Sequence, residues 1–242
     1  MNADAVVTNN RPASLQRKAK TAGLFYLLTF LVGGVAEFAN GRLLTTGDAG
    51  TTAHNILGRQ GSFWLGFAAY LIVLACYIAV TGLFYDLFKP VNGNLSLLAA
   101  FFSLVGCAVQ AAAIFFYVAP LALLENPHYL TVFRMDQLQG LAYMFFSMYG
   151  QVYSVGFIFF GFYCLLIGSL IYQSTFLPRI LGVLMMLAGC GWLTFLSFPL
   201  ANSLWPYVAV PGILGEGALT LWLLLRGVDI PKWNEKANAE KA

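Results

Sequence analysis

The stretch "FWLGFAAYLIVLACYIAVTGLFY" (63–85) decides the class of fold, because its 23 consecutive residues include no charged side chain. An α-helix rises about 1.5 Å per residue, so a segment of this length matches a bilayer core about 30 Å thick. The whole chain has the same character. Of its 242 residues, 60% are hydrophobic and only 10% are charged, whereas soluble domains carry about 25% charged residues. The sequence therefore predicts an all-α protein embedded in a membrane.

Five further segments are long and apolar enough to span a bilayer. Together with the first stretch, they place six predicted spans at about 21–40, 63–85, 95–123, 150–173, 179–198 and 207–226. The chain thus divides into a basic N-terminal tail (1–20), a polytopic six-helix transmembrane domain (21–226) and a C-terminal tail of mixed charge (227–242).

The basic residues are distributed unevenly between the loops on the two sides of the membrane that these six spans define. With a cytoplasmic N-terminus, ten Lys and Arg residues fall inside and three fall outside, namely Arg42, Arg59 and Arg134. Cytoplasmic loops are enriched in Lys and Arg, so both termini are predicted to be cytoplasmic. The first apolar stretch also fits a signal peptide cleaved before Glu37. We expect an uncleaved helix, because both the leader and the apolar run are long.

Two short helices are expected on the outer side. The segment 131–148 contains Arg134 and Asp136, which disfavour another full span, so it is predicted to form an amphipathic helix on or partly within the outer face, bending near Gly150. A second short helix is expected at 51–61, where Asp48 or Thr51 can cap its first turn.

The last span contains one carboxyl group, Glu216, within "GILGEGALTLWLLLRG" (212–227). It precedes Arg226 by ten residues, about 15 Å along a helix, and so lies near the bilayer midplane. An acidic residue there costs about 2.5–3.5 kcal/mol on insertion scales and must face a partner or a wet cavity. Two interpretations stay open: a functional group, or a protonated acid that forms a structural hydrogen bond between helices. The flanking glycines allow close helix approach and fit both.

Other polar side chains fall on the outer side of Glu216. The candidates for a shared ligand site with it are Glu37, Gln110, Gln151, His54, Asn55 and Arg134. Ligand sites often consist of a few polar groups that converge between apolar walls. One interpretation is therefore an outward-facing polar pocket that ends at Glu216. The other is that each residue has a separate local purpose, such as helix capping or loop solvation.

Several kinds of chemistry have no support in the sequence. His54 and His128 both fall on outer loops, which does not favour haem or metal ligation. The four cysteines lie in separate apolar runs without C-x-x-C spacing, and no hydrolase, metalloprotease or Walker-type motif is present. No basic stretch suits nucleic acid. We expect no metal, no cofactor and no catalytic residues; the lipid bilayer is the expected partner, and the oligomeric state stays open.

Four stretches together resemble a known family. They are "AGLFYLLTFLVGGVAEF" (22–38), "TGDAGTTAHNIL" (46–57), "FFGFYCLLIGSLIYQSTFLPRILGVLMMLAGCGWL" (159–193) and "GEGALTLWLLLRGVD" (215–229). They resemble the bacterial multi-pass membrane family catalogued as domain of unknown function 4386, over about residues 20 to 229.

The most specific parts of this resemblance are the junction from Thr175 to Arg179 and the glutamate ahead of "LWLL". The family often has a histidine before the cysteine of the fourth span; this chain has Tyr163 there, which puts any role of that position in doubt. The resemblance implies a bacterial inner-membrane protein and brings no activity, cofactor or partner.

Three functions follow as hypotheses. The first is binding or transport of a small molecule or ion through the polar pocket. The second is a structural or assembly role, in which the polar groups only fix helix packing. The third is an intramembrane enzyme acting on a lipid or quinone, which needs a second catalytic group that spacing alone does not show. We favour the first, and a non-enzymatic role over an enzymatic one.

Overall fold

The structure, a computed structural model, describes the backbone of residues 3–125 and 132–239, and the side chains of 13–125 and 132–239. Within these ranges every regular element is helical, as expected where apolar segments must satisfy their backbone hydrogen bonds internally. The α-helices are α1 (Ala3–Asn40), α2 (Ala49–Gly58), α3 (Gln60–Phe88), α4 (Gly93–Glu125), α5 (Met135–Ser174), α6 (Arg179–Leu193), α7 (Phe198–Leu204), α8 (Ala209–Leu225) and α9 (Ile230–Ala239).

Membrane-spanning character is confirmed by length and composition. Over the described residues, five helical segments are long and apolar enough to cross a bilayer: Ala13–Asn40, Gln60–Phe88, Gly93–Glu125, Met135–Ser174 and Arg179–Leu196. Large apolar side chains also point away from the protein interior, with Phe115 81% and Phe38 74% exposed. The chain is therefore a multi-pass membrane helix bundle. Its orientation stays a prediction.

The sixth predicted span falls in a bent pair of helices. Helices α7 and α8 pass the same test only together, and they are bent by 78° at the break between them. Helix α8 ends where Gly227 adopts a positive φ of 70° and donates its N–H to the Trp222 carbonyl oxygen at 3.0 Å. Glycine adopts this conformation without the Cβ strain of other residues, which explains the sharp end of the span.

The helix expected at 131–148 on the outer face is the first part of a longer helix, α5. It runs from Met135 to Ser174 as one helix of 40 residues and passes through Gly150 without a break. Buried positions in helical register explain the difference, because they recur every three to four residues on each side of Gly150 and are seven residues apart across it: Leu138, Ala142, Phe146, Tyr149, Gly156, Phe160, Tyr163, Ile167 and Leu170.

The short helix expected after Asp48 is confirmed as α2. Asp48 occupies the N-cap position and accepts bonds from the Thr51 backbone N–H at 2.8 Å and the Thr51 hydroxyl at 2.6 Å. These bonds, the hydroxyl bond above all, favour the carboxylate and lower the pKa of Asp48.

The described chain forms two compact units. The Glu216 unit contains the residues up to Leu27, Cys76–Gly106 and the residues from Phe157 onward. The Tyr70 unit contains Leu28–Ala75 and Cys107–Gly156. Close packing in the Glu216 unit depends on small residues: a Cβ on Gly168 would lie 2.6 Å from the Gly182 carbonyl oxygen, so α5 and α6 meet backbone to backbone.

Candidate functional site

Glu216 is buried in the Glu216 unit, with 5% of its surface exposed. Two glycines bring its helix, α8, against α6. A Cβ on Gly212 would lie 2.5 Å from Cζ2 of Trp192, and a Cβ on Gly215 would overlap the Leu184 carbonyl group. Larger residues at either position would move α8 away from α6 and take the Glu216 carboxyl away from Trp192.

Four side chains from four other helices surround the carboxyl group. Oε2 accepts hydrogen bonds from the Tyr26 hydroxyl of α1 at 2.7 Å and the Tyr77 hydroxyl of α3 at 2.9 Å. Oε1 accepts a bond from Nε1 of Trp192 in α6 at 2.8 Å and lies 3.8 Å from Sγ of Cys164 in α5. The carboxyl group is thus fully bonded although it lies within a predicted span.

The partners constrain where a proton on Glu216 can reside. An indole N–H only donates, so Oε1 must accept from Trp192 in every protonation state. A phenol hydroxyl both donates and accepts, so Tyr26 or Tyr77 can reverse its bond and accept a hydrogen bond from a protonated Oε2. The cluster can therefore satisfy the carboxyl group as an anion and as a neutral acid.

Aromatic rings hold these donors in place. The Trp192 indole stacks on Phe157 with centroids 4.7 Å apart and an interplanar angle of 11°, and the Tyr77 ring lies 4.5 Å from the Phe160 centroid. Tyr26 packs edge-on against the Tyr77 ring at 5.6 Å. Such pairs restrict ring rotation and stabilise packing beyond their buried area, so the donors are preorganised around the carboxyl group.

The hydrogen-bond partners that the structure gives Glu216 are all neutral donors. No group of three or more His, Cys, Asp or Glu residues is placed to hold a metal ion within the residues that the structure describes. The chemistry available to the site is therefore that of one carboxyl group among hydroxyl, indole and thiol donors.

The Tyr70 unit contains a second polar cluster, built from tyrosines. The Tyr70 hydroxyl donates to Oε1 of Glu37 at 3.0 Å. The Tyr117 hydroxyl lies 2.6 Å from Oδ1 of Asn40 and 2.8 Å from the Phe63 carbonyl oxygen. The rings of four tyrosines pack with centroids 5.1 to 6.1 Å apart: Tyr70, Tyr117, Tyr149 and Tyr153.

Gln110 is a predicted site residue that is buried in this unit, whereas Glu37 is exposed. Its Nε2 donates to the Tyr153 carbonyl oxygen at 3.4 Å. Helix α5 can approach because position 156 is a glycine, where a Cβ would lie 2.5 Å from Cγ of Gln110. Gln110 thus connects its own helix, α4, to α5 by a hydrogen bond.

The remaining predicted site residues form hydrogen bonds to residues nearby in the sequence or are exposed. Nδ2 of Asn55 donates to the Thr45 hydroxyl at 3.3 Å, and Nε of Arg134 donates to Oδ1 of Asp136 at 3.0 Å. His54 and Gln151 are exposed, and His128 lies outside the described residues.

The seven predicted site residues are divided between the two units. Glu216 belongs to one, and the other six belong to the Tyr70 unit. The bonds described above join none of the seven to another. A shared pocket that ends at Glu216 stays a prediction.

None of the partners of Glu216 is among the predicted site residues, although their positions along the helices contain a signal. Each residue of the cluster lies 9 to 13 residues from the predicted cytoplasmic end of its apolar helix: Tyr26, Tyr77, Cys164, Trp192 and Glu216. At about 1.5 Å per residue, this spacing gives the donors nearly the depth of the carboxyl group.

Fold and site together define a multi-pass membrane helix bundle with one buried intramembrane carboxyl group. The chain belongs to the family described as domain of unknown function DUF4386, whose model matches residues 21–227, so the predicted resemblance is confirmed. It is also similar to an uncharacterised protein of Archaeoglobus fulgidus, 26% identical over 162 residues that cover 65% of this chain and 79% of the relative. No solved structure matches the chain.

Proposed function

We propose that this protein binds or transports a small molecule or ion in the membrane, and that Glu216 binds and releases a proton as it does so. The observation that carries the proposal is the convergence of donors from four helices on one buried carboxyl group. Intramembrane acidic residues are costly, and they typically mark ion pathways or proton relays.

The reversible hydroxyl bonds of Tyr26 and Tyr77 support a change of protonation. Hydrogen bonds to a charged group contribute about 1.5–3 kcal/mol each, so the tyrosine and indole donors offset much of the cost of an anion. The titratable groups around the carboxyl group are Tyr26 of α1, Tyr77 of α3, and Cys164 and Tyr163 of α5. None of them is basic.

The bent pair α7 and α8 supports transport or ligand binding over a purely static role. The 78° bend separates the two helices just before the segment that carries Glu216. Transporters often place substrate and ion sites on discontinuous spans, and the break at 205–208 lies on the predicted outer side of Glu216. The proposal places the protein in the bacterial cytoplasmic membrane with both termini inside.

A structural role is the second candidate, and the same bonds favour it. One carboxyl group bonded to α1, α3 and α6 ties three helices to α8, so it can specify their packing without any turnover. The two candidates differ in one measurable respect, because only the first requires Glu216 to change protonation in the folded protein.

The test uses Trp192 as a reporter, since its indole N–H bonds to Glu216 directly. Tryptophan emission of the protein in lipid nanodiscs is recorded across the pH range in which it stays folded. We expect a reversible transition that disappears in Glu216→Gln, a variant of the same shape, and in Trp192→Phe. Glu37→Gln, which changes the carboxyl group beside Tyr70, is the matched control and keeps the transition. A transition unchanged in Glu216→Gln would remove the proton-binding role.

A further inference from the structure

A cleft at the predicted cytoplasmic side of the Glu216 unit has no part in the Glu216 cluster. It has a volume of about 400 Å³, and its lining includes Lys18, Asp86, Lys89, Pro90 and Trp233. Lys18 lies near the start of the first apolar segment, and Asp86 and Lys89 lie at the end of α3. The cleft therefore lies at the level where spans end and lipid headgroups begin.

Helix α9 closes this cleft and is fixed in place by specific bonds. Nε1 of Trp233 donates to the Leu87 carbonyl oxygen at 2.9 Å, which is one of the last carbonyl groups of α3 and lacks an intrahelical partner. Nε2 of Gln16 donates to the Arg226 carbonyl oxygen at 2.8 Å, and its Oε1 accepts from the Val228 N–H at 3.2 Å. The cleft is thus built by α1, α3 and α9 together.

The charges of the cleft favour a singly negative ligand. Lys18 pairs with Asp86 at 2.7 Å and both side chains are about half exposed. Nζ of Lys89 lies 5.8 Å from the Tyr85 ring centroid, and the ion pairs of the described chain do not include it. The lining thus holds two positive charges and one negative charge, which complements a phosphodiester.

The apolar part of the lining favours a lipid as the source of that phosphate. Leu15 and Leu87 are buried beside the charged groups, and a Trp ring at headgroup depth is typical of membrane interfaces. Basic pockets at the cytoplasmic ends of spans bind anionic headgroups. We propose that this cleft binds the phosphate of an anionic phospholipid headgroup, with Lys89 as the principal cation.

Quenching of Trp233 emission tests the proposal on the full chain in nanodiscs. Brominated phosphatidylglycerol is compared with brominated phosphatidylcholine at equal mole fraction, and the contribution of Trp233 is taken as the difference from Trp233→Phe. We expect brominated phosphatidylglycerol to quench the Trp233 emission more strongly than brominated phosphatidylcholine does. Equal quenching by the two lipids would overturn the proposal.

Three variants identify the charges responsible. Lys89→Gln should weaken the preference for phosphatidylglycerol about fivefold, the size expected for loss of one basic residue at an anionic membrane surface. Asp86→Asn, which releases Lys18, should strengthen it. Lys236→Gln is the matched control and leaves the preference unchanged, because Lys236 lies on α9, the helix of Trp233, but outside the cleft lining. A preference that survives Lys89→Gln or falls equally in Lys236→Gln contradicts the assignment.

Inorganic phosphate distinguishes a lipid from a soluble phosphate compound. Millimolar phosphate is added to the protein in phosphatidylcholine nanodiscs, and the emission of Trp233 is followed. We expect no change, because a soluble anion lacks the acyl chains that hold a headgroup at the membrane surface. A change as large as that caused by phosphatidylglycerol would assign the cleft to soluble phosphates and overturn the lipid assignment.

Discussion

At Glu216 the two carboxyl oxygens have chemically different surroundings. Oε1 faces an indole N–H, which can only donate, whereas Oε2 faces two hydroxyls, which can donate or accept. A proton on this residue therefore belongs on Oε2. Loss of that proton leaves an anion whose charge is stabilised by Trp192, Tyr26 and Tyr77 together.

Removing the indole donor should destabilise the anion more than the neutral acid. Trp192→Phe removes the bond to Oε1 and retains an aromatic ring against Phe157. We expect a loss in unfolding free energy of about 1.5–3 kcal/mol where Glu216 is ionised and about 0.5–1.5 kcal/mol where it is protonated. The loss should therefore grow as pH rises.

Equilibrium unfolding in mixed micelles at several pH values measures this difference. Trp222→Phe is the matched control, because its indole lies on the same helix as Glu216 and its ring packs against the Arg226 guanidinium. A loss from Trp192→Phe that is equal at all pH values would contradict a change of charge on Glu216.

At the level of elements, the contact between α6 and α8 positions the carboxyl group. Two glycines one residue from Glu216 differ sharply in their surroundings. A Cβ on Gly215 would overlap the Leu184 carbonyl group, whereas a Cβ on Gly217 would meet nothing within 4 Å. Both glycines adjoin Glu216 in the same helix, so they form a natural pair for substitution.

Gly215→Ala should force α8 away from α6 and destabilise the protein by about 1–3 kcal/mol. Gly217→Ala should be neutral or stabilising by up to about 1 kcal/mol, since alanine favours helix over glycine. Unfolding free energies of the two variants measure the effect. Equal destabilisation by both substitutions would contradict the close approach of the two helices.

The elements that the sequence predicted are those decided by local hydropathy. An apolar run such as 63–85 specifies a span whatever it packs against, and Asp48 specifies the start of α2 through its own side chain. The bend between α7 and α8 and the unbroken course of α5 depend on packing partners distant in the chain. For the same reason Glu216 could be found from its charge, and spacing indicates the depth of Tyr26 and Trp192 but not that they face the carboxyl group.

At the scale of the whole molecule, the distribution of basic residues predicts both termini in the cytoplasm. One cysteine substituted at His54 and one at Lys236 test this orientation, since His54 is exposed and Lys236 is partly exposed. A membrane-impermeant maleimide should label His54→Cys in intact cells and Lys236→Cys only after permeabilisation. The unsubstituted chain gives the background from its own four cysteines. The reverse pattern would invert the topology.

The most direct measurement of the central claim is an infrared titration of the protein reconstituted in lipid. Protonated and ionised carboxyl groups absorb differently, so the difference between the native chain and Glu216→Gln isolates this one group. The account predicts a carboxylic-acid C=O band that is lost reversibly as pH rises, absent in Glu216→Gln and retained in Glu37→Gln. The absence of any pH-dependent band due to Glu216, across the range in which the protein stays folded, would contradict it.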